Sequence, residues 1–328
     1  TSAAAGNFSH AEGCSTEAIG DCSHSEGDST AAEGRGSHAE GLTSTARGNF
    51  SHAEGCNTEA TGECSHAEGD TTTAEGRGSH AAGFTSIASG DFSHAEGVGT
   101  TASGFGSHAE GGTTDLESTP GSIASGDFAH AEGHGTLASG PQSHAEGFQS
   151  QATSADTHAE GFQTTASGPA SHSEGEQTIA RGIQSHAEGF FSQANGDVSH
   201  AEGFSSQAIG SSSHAEGVDT TAQGVASHAE GFNTVAFADV SHAEGVDSFA
   251  AGIASHAEGS SFAGGEGSHA EGISTVAGEN ASHAEGFDTV AARVASHAEG
   301  NASIANGEAS HAEGANTFTT GIASHAEG

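Results

Sequence analysis

Histidine and glutamate two residues apart are the chain's only recurrent chemical pair. They sit inside Ser-His-Ala-Glu-Gly or a close copy, which occurs 23 times in 328 residues. An imidazole beside a carboxylate can do three things. Neutral histidine can donate to glutamate of a neighbouring chain, satisfying both in a half-buried seam. The pair can ligate a divalent metal, with His10, His24, His38, His52, His66 and His94 as candidates beside Glu12, Glu26, Glu40 and Glu54. Or the pairs can form a solvated face. Only the second reading needs a cofactor, a divalent ion. Alternation along a strand sends Ser and Ala to one face and His and Glu to the other. No Ser-His nucleophile pair then forms, and an enzyme is not expected. The motif glutamate is replaced only at Ala82, and His134 stands outside the register, where it reads as incidental.

These residues are positioned by a short repeat. The motif histidines run from His10 to His108, His130 to His256 and His269 to His325 at 14-residue spacing, broken by one step of 22 and one of 13. A fixed short period is the mark of a solenoid, each repeat one rung on its neighbours. Numbered from its Ser, the repeat has small residues at positions 1, 3, 5, 8, 10 and 12, as in Ser185, Ala187, Gly189, Ser192, Ala194 and Gly196. Small and variable residues alternate, the period of a strand, and Gly with the two residues after it supplies a turn. The spacing predicts an all-β fold with two five-residue strands per rung and an interior of Ser/Thr, Ala and Gly. It also predicts one repeat-built body over residues 1–328, with an insertion loop at 113–120 and a tightened turn at 260–267. At ~4.8 Å per rung, 23 rungs make a rod on the order of 110 Å.

The doubled x-x-Ser-x-Ala-x-Gly pattern resembles the YadA-like head repeat of trimeric autotransporter adhesins over essentially the whole chain. The Ser-His-Ala-Glu-Gly arrays also look like those of Gram-positive surface proteins and phage-type fibres. The resemblance implies a left-handed parallel β-roll (a β-solenoid) of about 23 rungs that trimerises side by side. The family usually writes Ser-Val-Ala-Ile-Gly on the strand facing the trimer axis; here His and Glu replace Val and Ile.

Phenylalanine collects beside that strand. Eleven of 17 Phe occupy positions 6 or 14, among them Phe8, Phe50, Phe92, Phe128, Phe148, Phe162, Phe190, Phe204, Phe232 and Phe287. An apolar stripe on an outer face marks an interaction surface. With the axis the resemblance implies, these columns read as the subunit interface. Residues 7–48 and 49–90 match at 32 of 42 positions, a three-rung duplication that carries all four cysteines. Cys14 and Cys22, and again Cys56 and Cys64, occupy positions 6 and 14 of a rung, too far apart to bond within a chain. Around a trimer axis they read as interchain disulfides or as buried free thiols.

Composition bounds the partners. With 44 acidic and 5 basic residues the formal charge is −39, which disfavours nucleic acid and anionic lipid. No apolar run is long enough for a membrane helix. Any signal peptide lies outside the chain, which begins at position 7 and ends at position 5 without caps. It reads as a segment of a longer fibre, or as a unit that stacks head to tail. The expected role is a structural component of an extracellular, cell-surface or virion fibre, with itself as partner; the alternative is an adhesive or metal-binding surface module.

Overall fold

The computed structural model describes residues 1–114 and 120–328. They form parallel β-solenoid turns, about 23 in all, with no helix among the described residues. The chain divides into two compact units, Thr1–Ala170 and Ser171–Gly328, built to the same plan. A regular turn has a five-residue strand that starts at the motif histidine, such as His52–Cys56 or His186–Phe190, and a two-residue strand, such as Glu59–Ala60 or Gln193–Ala194. Like pairs with like in the next rung: His52 with His66 and Glu54 with Glu68 in the first unit, His186 with His200 and Glu188 with Glu202 in the second.

The second strand is thus two residues long, not five, and the corners explain why. Positions 7 and 14 adopt left-handed backbone, as at Asn57 (φ 54°) and Phe50 (φ 59°), and this interrupts the pleat. At one corner Ser51 N–H donates to the Gly48 carbonyl at 3.2 Å, closing a type II turn whose third residue is Phe50. The Ser51 hydroxyl donates to the same carbonyl at 2.7 Å. Phe50 N–H donates across to Arg35 at 2.8 Å, and Asn57 N–H to Leu42 at 2.8 Å, so rung-to-rung bonding continues around both corners. At position 5 the chain stays extended past Gly, and the turn falls two residues later. Gly203 has φ +107°, and a Cβ there would lie 2.1 Å from the Gly217 carbonyl oxygen.

Inside, both faces contribute only small side chains. Ala53, Ala60, Ala187 and Ala194 are fully buried, with Ser51, Thr58, Ser185 and Ser192 beside them. Such a core gives little transfer energy per residue, so the backbone ladder carries much of the cohesion. Both irregular rungs change length at the same corner. The long rung keeps Thr101 opposite Ile123 and His108 opposite His130, so its additional length falls between Gly112 and Ser122. Most of the expected 113–120 loop, residues 115–119, lies outside the described residues. In the short rung Ser260 pairs Ile273 and Ser261 pairs Thr275, skipping Ser274 (φ 57°). The missing residue is the left-handed one of the position 7 corner, and strand His256–Ala263 runs straight through. The turn that follows is regular, with Ser268 N–H donating to Gly265 at 3.1 Å.

Candidate functional site

Parallel in-register pairing stacks identical side chains one above another. The motif imidazoles form a ladder in each unit. His38 and His52 have centroids 4.7 Å apart and planes within 6°, and His200 and His214 are 4.9 Å apart within 2°. The ring faces are thereby covered, and the side chains keep roughly a third of their surface, 33% for His52 and 35% for His144. Their Nε2 atoms are buried and make no hydrogen bond at His52, His144 or His242.

The nearest carboxylate is that of the same strand, Nε2 to Oε2 being 3.6 Å at His52–Glu54, 3.5 Å at His144–Glu146 and 3.4 Å at His242–Glu244. Within the single chain most ladder histidines therefore already stand beside a glutamate of their own strand or of the rung before. Most candidate ligands fall in this column. His10 pairs Glu12 at 3.5 Å but is largely exposed, and His94 pairs Glu96 at 3.7 Å. His38 leans back to Glu26 at 3.8 Å. His24 and His66 stack in register with their neighbours. At Ala82 the missing carboxylate is replaced from the rung before, and His80 reaches Glu68 at 3.3 Å.

Burial pushes the imidazoles of His52, His94, His200 and His228 below their ordinary pKa. The neighbouring histidines add to that push and the carboxylates offset part of it. The glutamates crowd in turn. Hydrogen bonding with Glu54 and Glu26 raises Glu40 to about 7, while Glu54 is lowered, chiefly by its hydrogen bond with Glu40.

Aromatic side chains flank the ladder at both ends of the long strand. Phe50 is 56% and Phe232 51% exposed, and Phe8, Phe92, Phe128, Phe162, Phe204 and Phe287 are exposed as well. Phe148 and Phe190 are half-buried. Phe148 stacks on Phe162 at 4.9 Å and on His134 at 4.8 Å, so His134 belongs to this column. Two features escaped sequence reasoning. Phe50, Phe92 and Phe128 each cover a glycine of the rung before (Gly36, Gly78, Gly106), where a Cβ would come within 3.0–3.2 Å of the ring. In the second unit the short strand carries its own apolar column, from Val235, Phe249 and Phe262 through Val276, Val290 and Ile304 to Phe318. Its signal was apolar residues at position 9 of successive repeats. All four cysteines are free in the single chain; Cys56 is half-buried, and Cys14, Cys22 and Cys64 are exposed. The motif serines are committed inward, as the Ser37 and Ser79 hydroxyls donate to glycine carbonyls at 2.7 Å.

Residues 81–107, 120–143, 159–185, 201–222 and 215–237 match the family described as the YadA head domain repeat. Together they cover roughly a third of the chain, and the same rung geometry recurs in the rungs outside them, as at His52–Cys56 and His297–Asn301. Within them the chain carries its His-Glu pair, as in Ser213, His214, Ala215, Glu216 and Gly217. No curated protein matches the chain.

Proposed function

We propose that this chain is a structural module of an extracellular, surface-exposed fibre, which works as a homotrimer with the His, Glu and Phe columns towards the axis. The observation that carries the reading is the pairing of a methyl-and-hydroxyl core with long apolar columns outside it. Full burial of one Phe side chain is worth about 1.5–3 kcal/mol, against about 0.8 kcal/mol for one alanine methyl of the interior, so covering the columns adds substantially to a weak core. A threefold ring needs two different complementary patches on each chain. Positions 6 and 14, at the two ends of the long strand, supply apolar columns of that kind, as at Phe204 and Phe232 and at Phe50, Phe92 and Phe128. The YadA head repeat supports the surface location. Sedimentation should give three chains per particle, and Phe204→Ser with Phe232→Ser should shift it towards monomer. A stable wild-type monomer would overturn the reading. Electron micrographs separate the fibre from the adhesive alternative: continuous filaments of uniform width favour the first, discrete heads on stalks the second.

The cysteines test the same arrangement independently. In the proposed trimer Cys14 bonds Cys22 of the next chain, and Cys56 bonds Cys64 likewise, because one chain's position 6 approaches its neighbour's position 14. Without reductant, denatured protein is expected to run as a covalent trimer, collapsing to single chains with reductant. Single chains under both conditions would show free thiols.

A further inference from the structure

We propose that the His-Glu pairs are two-point chelates for a borderline divalent cation of the zinc type, making the ladder a linear array of metal sites. The bite distance carries the argument. The Nε2–Oε2 separation runs from 3.4 Å at His242–Glu244, 3.5 Å at His144–Glu146 and 3.6 Å at His186–Glu188 to 4.0 Å at His130–Glu132 and His256–Glu258. A direct N–H···O bond prefers about 2.7–3.2 Å. Two ligand atoms on one tetrahedral zinc, with bonds of about 2.0–2.2 Å, lie about 3.4 Å apart. The shorter pairs are thus spaced for an ion rather than for each other, the longer ones need a small side-chain shift, and the Nε2 atoms of His144, His186 and His242 are buried without a hydrogen bond.

A third ligand is at hand in the next rung. His52, Glu54 and His66, and likewise His130, Glu132 and His144, offer donor atoms within 4.8 Å of one another. Rings stacked in parallel hold neighbouring nitrogens too far apart for one ion, but a tilt closes the gap. His228 and His242 are already inclined by 47° at a centroid distance of 4.8 Å. The carboxylate column also needs a counter-charge, since like charges about 4.8 Å apart repel. The same repulsion between dications limits filling to about every second rung. Calcium and magnesium, which want six or more oxygens, are poorly served by one imidazole and one carboxylate. The chelate is complete within one chain, so it does not depend on the trimer.

The test is equilibrium dialysis of the full chain, stripped with chelator, against zinc chloride at pH 7.5. Uptake of roughly ten ions per chain is expected, with equimolar calcium displacing few of them. Changing Glu188, Glu202, Glu216, Glu230, Glu244 and Glu258 together to Gln should lower uptake by about a quarter. Changing Glu63 and Glu176, which lie off the ladder, should leave it unchanged. Cobalt provides a reading that needs no variant. A strong visible absorption of four-coordinate cobalt supports the proposal, and a spectrum like that of the hydrated ion overturns it. Zinc uptake that is absent, equalled by calcium, or unaltered in the folded six-fold variant overturns it too.

Discussion

Gly203→Ala is expected to destabilise the second unit by at least about 3 kcal/mol, read as a lower urea midpoint. Two penalties combine there. The backbone has φ +107°, which an L side chain rarely adopts, and the new Cβ would lie 2.1 Å from the Gly217 carbonyl oxygen. That oxygen belongs to the next rung's backbone and cannot turn aside, so the rungs must separate and neighbouring ladder bonds lengthen. Coupling between adjacent repeats is what holds a solenoid together. Gly267→Ala is the control: its φ is +61°, but nothing lies within 4 Å of the added Cβ. It should cost only about 1–2 kcal/mol. Equal losses at the two sites would show that backbone strain alone sets the glycine requirement.

Metal-free protein should melt several degrees higher at pH 8 than at pH 5. Nine ladder histidines have folded pKa values below the ordinary 6.5: His38, His52, His94, His200, His214, His228, His256, His283 and His297. A base with a depressed folded pKa binds fewer protons folded than unfolded. Its contribution is complete above 6.5 and is lost as pH falls from there through the folded value. Burial is the largest cause in each case, followed by the neighbouring histidines, and the facing glutamates only partly offset it. Glu40 runs the other way. Raised to about 7, it stabilises fully below 4.5 and loses that contribution as pH climbs through 7. Protonation also relieves self-repulsion, since adding 24 positive charges to −39 leaves about −15; salt near physiological strength weakens that relief. Nine histidines against one glutamate set the sign. Equal or higher stability at pH 5 would mean that the carboxylates dominate the ladder.

Period, parallel stacking and small-residue interior are legible in the sequence, because each follows from side-chain size repeating every 14 residues. The corners are less so. Left-handed backbone is expected of Gly or Asn, yet here it is taken by Phe50, Val198 and Thr85. What places them there is the N–H each donates to the preceding rung, as Val198 does to Ile183 at 2.7 Å, and no local preference encodes that bond. The His-Glu column was legible as a column, since alternation puts both residues on one face. Its partners were not. Whether His80 meets a glutamate of its own rung or of another depends on the single replacement at Ala82 and on ring orientation. The apolar column from Val235 to Phe318 was written as plainly as the Phe columns, but it lies on the strand whose length was overestimated.

The position 7 corner accepts one residue fewer at Ser260–Ser261 and additional residues after Gly112, while His108 still faces His130 and His256 still faces His269. Variation in chain length is absorbed there without disturbing the phase of either ladder. Growth of the array is therefore digital. A duplication such as 7–48 into 49–90 adds whole rungs, and the seam it creates, where Asn49 accepts from Arg35 N–H at 3.0 Å, has the geometry of Asp21 accepting from Asn7 N–H at 2.8 Å inside the copied block. A lineage can thus lengthen or shorten this protein by integer steps and meet no junction it has not already solved.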